Sequence, residues 1–197
     1  MPVLETRPRQ LVLASGSARR RDLLKRIGIE PAIIDPPHID ERHRARELPT
    51  AYARRMAREK LAAIAPKHRD CWVLAADTVV ACGRRILPKA ETEDEARACL
   101  ALLSGRRHRV LGGIAIAAPD GSTVERLATT VVALKRLTQQ EVDAYIATGD
   151  WRGKAGGYAI QGHAASFIPW INGSYDNVVG LSLSDTVAML SGLGWRA

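Results

Sequence analysis

Apolar positions in this sequence form short, nearly continuous runs, separated by segments in which apolar residues recur with helical spacing. The runs predict strands at 10–15, 31–34, 72–81, 110–117, 123–134 and 166–171. The helical spacing, together with capping residues, predicts helices at 18–27, 50–64, 92–103, 138–149 and 184–193. Strands and helices alternate, and the turn at 119–121 predicts at least one antiparallel pair. The pattern therefore predicts a mixed α/β fold.

Length and composition are those of one globular domain, which we expect to span residues 1–197. The chain is 46% hydrophobic, enough for a sizeable core. No apolar run approaches the ~20 residues that cross a bilayer, and no signal peptide begins the chain. The three cysteines are odd in number and form no CxxC pair, which excludes a disulfide framework. These features predict a cytoplasmic protein with no membrane partner.

The net charge of +8 is unevenly distributed along the chain. Three basic and three acidic residues cancel from position 150 onward, so the whole excess precedes that position. Such an excess favours a phosphate-bearing partner, without separating a nucleic acid from a small nucleotide. Aromatic residues make up only 5% of the chain, with a single Phe, and no helix-turn-helix or RNA-recognition motif occurs. A nucleic-acid partner is therefore the weaker alternative.

The segment S-G-S-A-R-R-R at 15–21 places three arginines in the first turn of a predicted helix. The helix dipole opposes each cation there by up to ~1 kcal/mol. A bound phosphate would instead gain from free backbone N–H groups, serine hydroxyls and guanidinium groups. The segment therefore predicts a phosphate site, and the alternative is that the arginines extend into solvent. Neither a Walker A sequence nor G-x-G-x-x-G is present, so this is not a standard nucleotide-binding loop.

Charged residues also interrupt two predicted apolar surfaces. Lys60 falls in the apolar stripe of its helix, whose arginines take the opposite face, and Asp77 interrupts an apolar strand. A buried ammonium or carboxylate needs a partner, so both residues are predicted to border a cleft. The alternatives are a snorkelling lysine and a structural salt bridge. If Asp77 meets a metal ion in this cleft, Asp40 and Glu41 in the charged loop after the second strand would supply a second carboxylate to that ion. The alternative is that these two loop acids are solvated.

A glycine-rich segment at 149–162 surrounds Lys154 and Gln161. Glycines let a backbone approach a ligand closely, and an amide side chain both donates to and accepts from a nucleobase. The segment predicts a second part of the binding site. The alternative is a glycine-rich hairpin without a ligand.

Seven motifs together resemble the Maf family of septum-formation-inhibitor-like nucleoside triphosphate pyrophosphatases. They are LASGSARRRDLL, IDE at 39–41, REKL around Lys60, AADTVV, LSGRRHRV, GKAGGYAIQG and INGSYDNVVGL. The match runs from Leu11 to about Leu183, and the last two motifs resemble the subgroup that acts on dTTP and UTP. The resemblance implies a long mixed sheet flanked by helices in two lobes around a cleft, as in the inosine triphosphate pyrophosphatase fold. It also implies a homodimer and a divalent metal cofactor, magnesium or manganese.

The resemblance also implies roles for individual residues. The predicted catalytic residues are Asp77, Glu41, Lys60 and Lys89. Asp77 and Glu41 are the predicted metal ligands, and Asp77 alternatively deprotonates the attacking water. With Lys154 from the glycine-rich segment, the predicted substrate-binding residues are Ser15, Arg19, Arg20, Lys154 and Gln161. The family's usual L-G-K-P is L-P-K-A at 87–90, which keeps the lysine but exchanges its neighbours.

The predicted reaction is hydrolysis of the α–β phosphoanhydride of a nucleoside triphosphate substrate, dTTP or UTP, to a monophosphate and pyrophosphate, with a role in clearing non-standard nucleotides. One alternative is hydrolysis of 7-methyl-GTP, which differs only in base choice. Another is a basic regulator of cell division that binds nucleic acid without turnover.

Overall fold

The computed structural model describes residues 10–196 as strands and helices that alternate along the chain. The strands are β1 (Leu11–Ala14), β2 (Ile33–Ile34), β3 (Trp72–Cys82), β4 (Arg85–Leu87), β5 (Lys89–Ala90), β6 (Arg107–Ala117), β7 (Thr123–Ala133), β8 (Lys154–Ala155) and β9 (Trp170–Asn172). The α-helices are α1 (Ala18–Arg26), α2 (Pro49–Ile64), α3 (Glu93–Leu103), α4 (Gln139–Thr148), α5 (Tyr175–Val179) and α6 (Leu183–Gly192). Short 3₁₀ turns lie at Ala65–Lys67 and His163–Phe167. None of the helices within these described residues has the length and apolar character of a membrane span.

The larger sheet is mixed and has the order β2-β1-β3-β6-β7-β9, with β4 added to β3. Strand β1 pairs in parallel with β2 and β3, whereas β6 and β7 form the predicted antiparallel hairpin. Strands β5 and β8 form a separate two-stranded sheet. The predicted mixed α/β class, with a mixed sheet flanked by helices, is confirmed.

Strand β3 has an open edge in the middle of the sheet. Strand β1 pairs with it as far as Ala75, and β4 pairs with it only from Val80 onward. Among residues 10–196, no strand covers the edge over residues 76–79, although β6 pairs along the opposite edge. The open edge carries Asp77 and Thr78, and their side chains point to opposite faces because successive residues of a strand alternate.

Two glycines of β6 allow helices to lie close against both faces at this point. Gly113 is the cross-strand neighbour of Asp77, and a Cβ on it would lie 2.1 Å from the Ala53 carbonyl oxygen of α2. A Cβ on Gly112 would lie 2.0 Å from Oδ1 of Asn177 in α5. Cross-strand neighbours share a face of the sheet. Asp77 therefore faces α2, and its neighbour on the strand faces α5.

Two interpretations of local pattern are wrong. The predicted strand at 166–171 begins with the end of a 3₁₀ turn at Phe167, and the strand itself begins only at Trp170. The arginines of α2 are not all on a solvated face, because Arg55 is buried against Glu47. The capping residues that begin the predicted helices at 92–103 and 138–149 are confirmed, because Thr92 and Thr138 are the N-caps of α3 and α4 and each forms a capping box with the glutamate three residues later.

Candidate active site

A cleft of about 470 Å³ opens beside the uncovered edge of β3. Its walls are the loop between β1 and α1, the glycine-rich segment around β8, and the C-terminal end of α5. All nine predicted site residues line it: Ser15, Arg19, Arg20, Glu41, Lys60, Asp77, Lys89, Lys154 and Gln161. Residues that are far apart in sequence are thus brought to one place by the sheet order.

Four of these residues form a chain of alternating charges across the cleft. Nζ of Lys60 lies 2.6 Å from Oδ1 of Asp77 and 2.7 Å from Oε1 of Glu41. Nζ of Lys89 lies 2.6 Å from Oε2 of the same glutamate. Lys60 and Asp77 are buried, with 7% and 6% of their side chains exposed. Lys60 therefore points inward from the apolar face of α2, as predicted, and does not snorkel to solvent.

Glu41 carries a full negative charge at neutral pH. Burial by itself would raise its pKa, but the hydrogen bonds from Lys60 and Lys89 outweigh burial and lower the pKa to about 2. The other acid of the same loop, Asp40, is exposed and pairs with Arg42 outside the cleft. Of the two loop carboxylates, only Glu41 is therefore placed beside Asp77.

The loop from β1 into α1 has free donor groups at its helix end. Ser17 is the N-cap of α1 but makes no side-chain capping bond, and the first turn holds no acidic residue. Arg19 is half-buried in the cleft and makes no hydrogen bond or ion pair within the described part of the chain. An unpaired cation beside free backbone N–H groups is the arrangement that binds a phosphate.

Arg20 differs from its neighbour because three of the five N–H groups of its guanidinium donate to protein atoms. It donates to the Gly180 carbonyl at 2.9 Å, to Ser15 Oγ at 2.8 Å and to Thr78 Oγ1 at 3.1 Å. Burial lowers its pKa, and the nearby Asp77 partly offsets that effect. Arg20 therefore ties the loop after β1 to the open edge of β3 and to the end of α5. Thr78 and Gly180 were not among the predicted site residues, although both lie in the quoted motifs.

The glycine-rich segment forms the opposite wall. Gly156 and Gly157 have φ values of 71° and 69°, and a Cβ on Gly156 would lie 2.8 Å from Val80 of β3. The turn is therefore pressed against the sheet in a conformation that glycine adopts at low cost. It carries Tyr158, which is 6% exposed, to the cleft, and exposed Gln161 also borders it.

The lysines at 89 and 154 are held near each other by the small sheet. Lys89 is paired with Ala155, and Lys154 with Ala90, between β5 and β8. Lys89 has proline and alanine as neighbours where the family's motif has glycine and proline. It nevertheless lies on a strand and lines the cleft. Burial lowers the pKa of Lys154, and the Arg19 charge lowers it further.

The carboxylates of Asp77 and Glu41 suit a divalent cation. Both contact a single ammonium, so their oxygens converge on one cationic position. No cluster of three or more His, Cys, Asp or Glu side chains within residues 10–196 is arranged to hold a metal ion. Magnesium is commonly held by one or two carboxylates together with substrate phosphates and water. The donor set fits a metal that arrives with a phosphorylated ligand.

The Maf-like protein family model matches residues 10–193 of the chain. A dTTP/UTP pyrophosphatase of Paramagnetospirillum magneticum is 59% identical, over 94% of this chain and 97% of that protein. Proteins of the same name from Rhodospirillum rubrum and Caulobacter vibrioides are 57% and 55% identical, over 94% of this chain and 89% and 96% of theirs. A solved nucleoside-triphosphatase / dITP/XTP pyrophosphatase of Mycobacterium abscessus is 13% identical with a TM-score of 0.45, over 93% of each chain.

Proposed function

The chain belongs to the Maf-like protein family, and we propose that it hydrolyses dTTP and UTP to the nucleoside monophosphate and pyrophosphate. Its curated relatives carry the name dTTP/UTP pyrophosphatase at 55–59% identity. One observation of the structure carries the proposal. A buried lysine joins two carboxylates, and the same cleft holds an arginine at a helix N-terminus that has no partner among the described residues. Together these groups would provide an acid–base group and a triphosphate site in one cleft.

The triphosphate would bind along the cationic side of the cleft. Arg19 and the N-terminal amides of α1 would hold phosphoryl oxygens at one end, and the lysines of β5 and β8 would contact the others. Lys89 is held by Glu41 and Lys154 by the Arg152 carbonyl oxygen before the ligand arrives, so these two ammonium groups would stabilise transition-state charge with little reorganisation. Lys60 would neutralise charge at the reacting phosphorus.

Asp77 would act on the attacking water. Its carboxylate would accept a proton from water as the water oxygen bonds to the α-phosphorus. The bond between the α-phosphorus and the α–β bridging oxygen breaks, and pyrophosphate leaves with that oxygen. The proton then passes from Asp77 to solvent, which restores the carboxylate.

Glu41 would hold the divalent metal, magnesium or manganese, and Asp77 would be its second ligand in the alternative in which the ion activates the water. When bound, the ion would supply positive charge to the phosphoryl oxygens. Glu41 would keep its ionised form for this purpose at any physiological pH, given its lowered pKa. Removal of divalent ions with EDTA should abolish turnover, and magnesium should restore it.

The base would lie against the glycine-rich wall. Gln161 offers an amide that pairs with a base edge, and Tyr158 limits the room beside it. We also assign the enzyme to the cytoplasm, a compartment that suits its three free cysteines. A homodimer stays a prediction, which sedimentation would check.

The products of dTTP hydrolysis test the proposal. The purified protein with dTTP and magnesium should release pyrophosphate and dTMP in equal amounts. Orthophosphate with dTDP would contradict it, because that pair reports cleavage at the γ-phosphate. Salt-dependent binding of duplex DNA without any triphosphate hydrolysis would favour the regulator alternative.

A further inference from the structure

A buried histidine outside the cleft makes the hydrogen bond that holds one cleft wall. His108 lies on β6 and is 2% exposed. Its Nε2 lies 2.8 Å from the hydroxyl oxygen of Tyr158, and the two rings meet edge to face with centroids 5.4 Å apart. Val110, two residues along the same strand, lines the cleft, whereas His108 does not. Since alternate residues share a face of the sheet, the histidine lies just beyond the cleft on the same face.

The hydrogen bond between His108 and Tyr158 is the polar contact that holds the tyrosine side chain. Backbone contacts hold the rest of the segment, because Gly157 is pressed against Ala96 of α3 and the Ala159 N–H donates to the Tyr145 hydroxyl. Within residues 10–196, the Tyr158 hydroxyl has no hydrogen-bond partner other than this histidine. The position of the ring in the cleft therefore depends on His108.

The histidine is neutral at physiological pH, because burial lowers its pKa to about 4. Its Nδ1 is buried and has no hydrogen-bond partner in the described part of the chain. The hydrogen bond between Nε2 and the tyrosine hydroxyl is therefore the one polar contact of the ring among the described residues, and the tautomer decides which side donates.

We propose that His108 is a positioning residue for base selection, which fixes Tyr158 as the wall of the base pocket without touching the substrate. The proposal rests on the proposed function. A fixed ring limits the size of the base that enters, whereas a ring free to change rotamer would admit a purine. Loss of the hydrogen bond should therefore relax the preference for pyrimidines more than it affects contacts to the triphosphate.

The test compares kcat/KM for dTTP and GTP in four variants. His108→Leu, Tyr158→Phe and the double variant should each lower the dTTP-to-GTP ratio about tenfold, the lower end of discrimination by apolar fit. The double variant should be no worse than either single one, because all three lose the same bond. His108→Gln keeps an amide that can donate to or accept from the tyrosine hydroxyl, so it should retain most of the ratio.

A control separates positioning from stability. Val132 lies opposite His108 in the hairpin and is fully buried, but its side chain makes no hydrogen bond. Val132→Ala should lower Tm and leave the ratio unchanged. Inorganic tripolyphosphate should bind all variants as it binds the wild type, measured by calorimetry.

Three outcomes would overturn the inference. An unchanged ratio in Tyr158→Phe and His108→Leu, together with a pyrimidine-selective wild type, would overturn the positioning role alone. Additive losses of the ratio in the double variant would also overturn it, because they would mean that His108 and Tyr158 act independently. A wild type that releases pyrophosphate from no triphosphate would overturn the proposed function and this inference together. If His108→Leu does not fold, Tyr158→Phe still decides the matter, because it removes the same hydrogen bond.

Discussion

Lys60 of α2 and Asp77 of β3 form a buried ion pair, with 2.6 Å between Nζ and Oδ1. Each side chain is less than one-tenth exposed, so neither charge is solvated by bulk water. Removing one partner of a buried pair costs far more than removing both. The pair therefore links stability and chemistry at the same two residues.

Lys60→Met should lower both stability and turnover. The free energy of unfolding should fall by about 3 kcal/mol, because Asp77 is left buried without its partner. Urea unfolding and dTTP hydrolysis measure the two effects. In the double variant Lys60→Met/Asp77→Asn, much of the stability should return while activity stays lost. A double variant as unstable as the single one would contradict the paired-charge account.

Asp77→Asn should remove turnover without removing binding. The amide cannot accept a proton from water, so kcat should fall by about 10²- to 10⁴-fold, the range of general-base catalysis. Binding of dTTP, measured by calorimetry, should change only a few-fold, because the anion contacts lie on other residues. Circular dichroism checks that the fold is kept. Unchanged kcat would assign Asp77 to a structural ion pair.

Arg19→Ala and Arg20→Ala should have different consequences although the residues are adjacent. Arg19 has no protein partner among the described residues, so its loss should lower kcat/KM by about 10- to 100-fold, as for a charged hydrogen bond, with Tm unchanged. Arg20 holds three protein groups, so its loss should lower Tm as well. Equal melting temperatures for the two variants would contradict this distinction.

Pyrimidine triphosphates should be better substrates than purines. We expect kcat/KM to be highest for dTTP and UTP and lowest for ATP, because Tyr158 and the close backbone limit the pocket. A panel that adds CTP, GTP and 7-methyl-GTP measures the order. A purine at the top would contradict the base assignment and leave the pyrophosphatase chemistry intact.

Stability should fall in acid as the pair between Glu47 and Arg55 is lost. Hydrogen bonds from Arg55 lower the pKa of Glu47 from 4.5 to about 2, and the two side chains are 9% and 7% exposed. A lowered folded-state pKa stabilises the fold above pH ~4.5, and that contribution is lost as pH falls toward 2. It amounts to about 2–3 kcal/mol at neutral pH.

Unfolding by urea at pH 7 and pH 3 checks the acid dependence. Glu47→Gln should lower stability at pH 7 and flatten the decline toward pH 3. Glu59→Gln removes a more exposed partner of the same arginine and should change the profile less. A wild-type profile that is flat between these two pH values would contradict the prediction.

Local chemistry made much of the fold predictable. Capping boxes at Thr92 and Thr138, long apolar strands and a proline–glycine turn each leave a pattern within a few residues. Strands β5 and β8 leave none, because two-residue strands exist only through pairing with each other. The helix α5 has five residues, too few for a helical period to appear.

The sequence feature that best predicted the site was a charged residue within an otherwise apolar segment. Lys60 and Asp77 were identified because burial of either is costly without a partner, although their pairing could not be deduced from sequence. Arg20 shows the limit of that argument, since three arginines in a row look alike until the chain folds. His108 was missed because one histidine in a strand resembles any other core residue.

The open edge of β3 also bears on how the protein avoids self-association. Unpaired strand edges are templates for the edge strands of other molecules, and natural sheets protect them by keeping them short and charged. Only four residues are uncovered here, between β1 and β4. The cations of Arg20 and Lys60 lie on opposite sides of that stretch. The shortness of the stretch and the two charges beside it therefore disfavour the addition of a β-strand from another molecule at this edge.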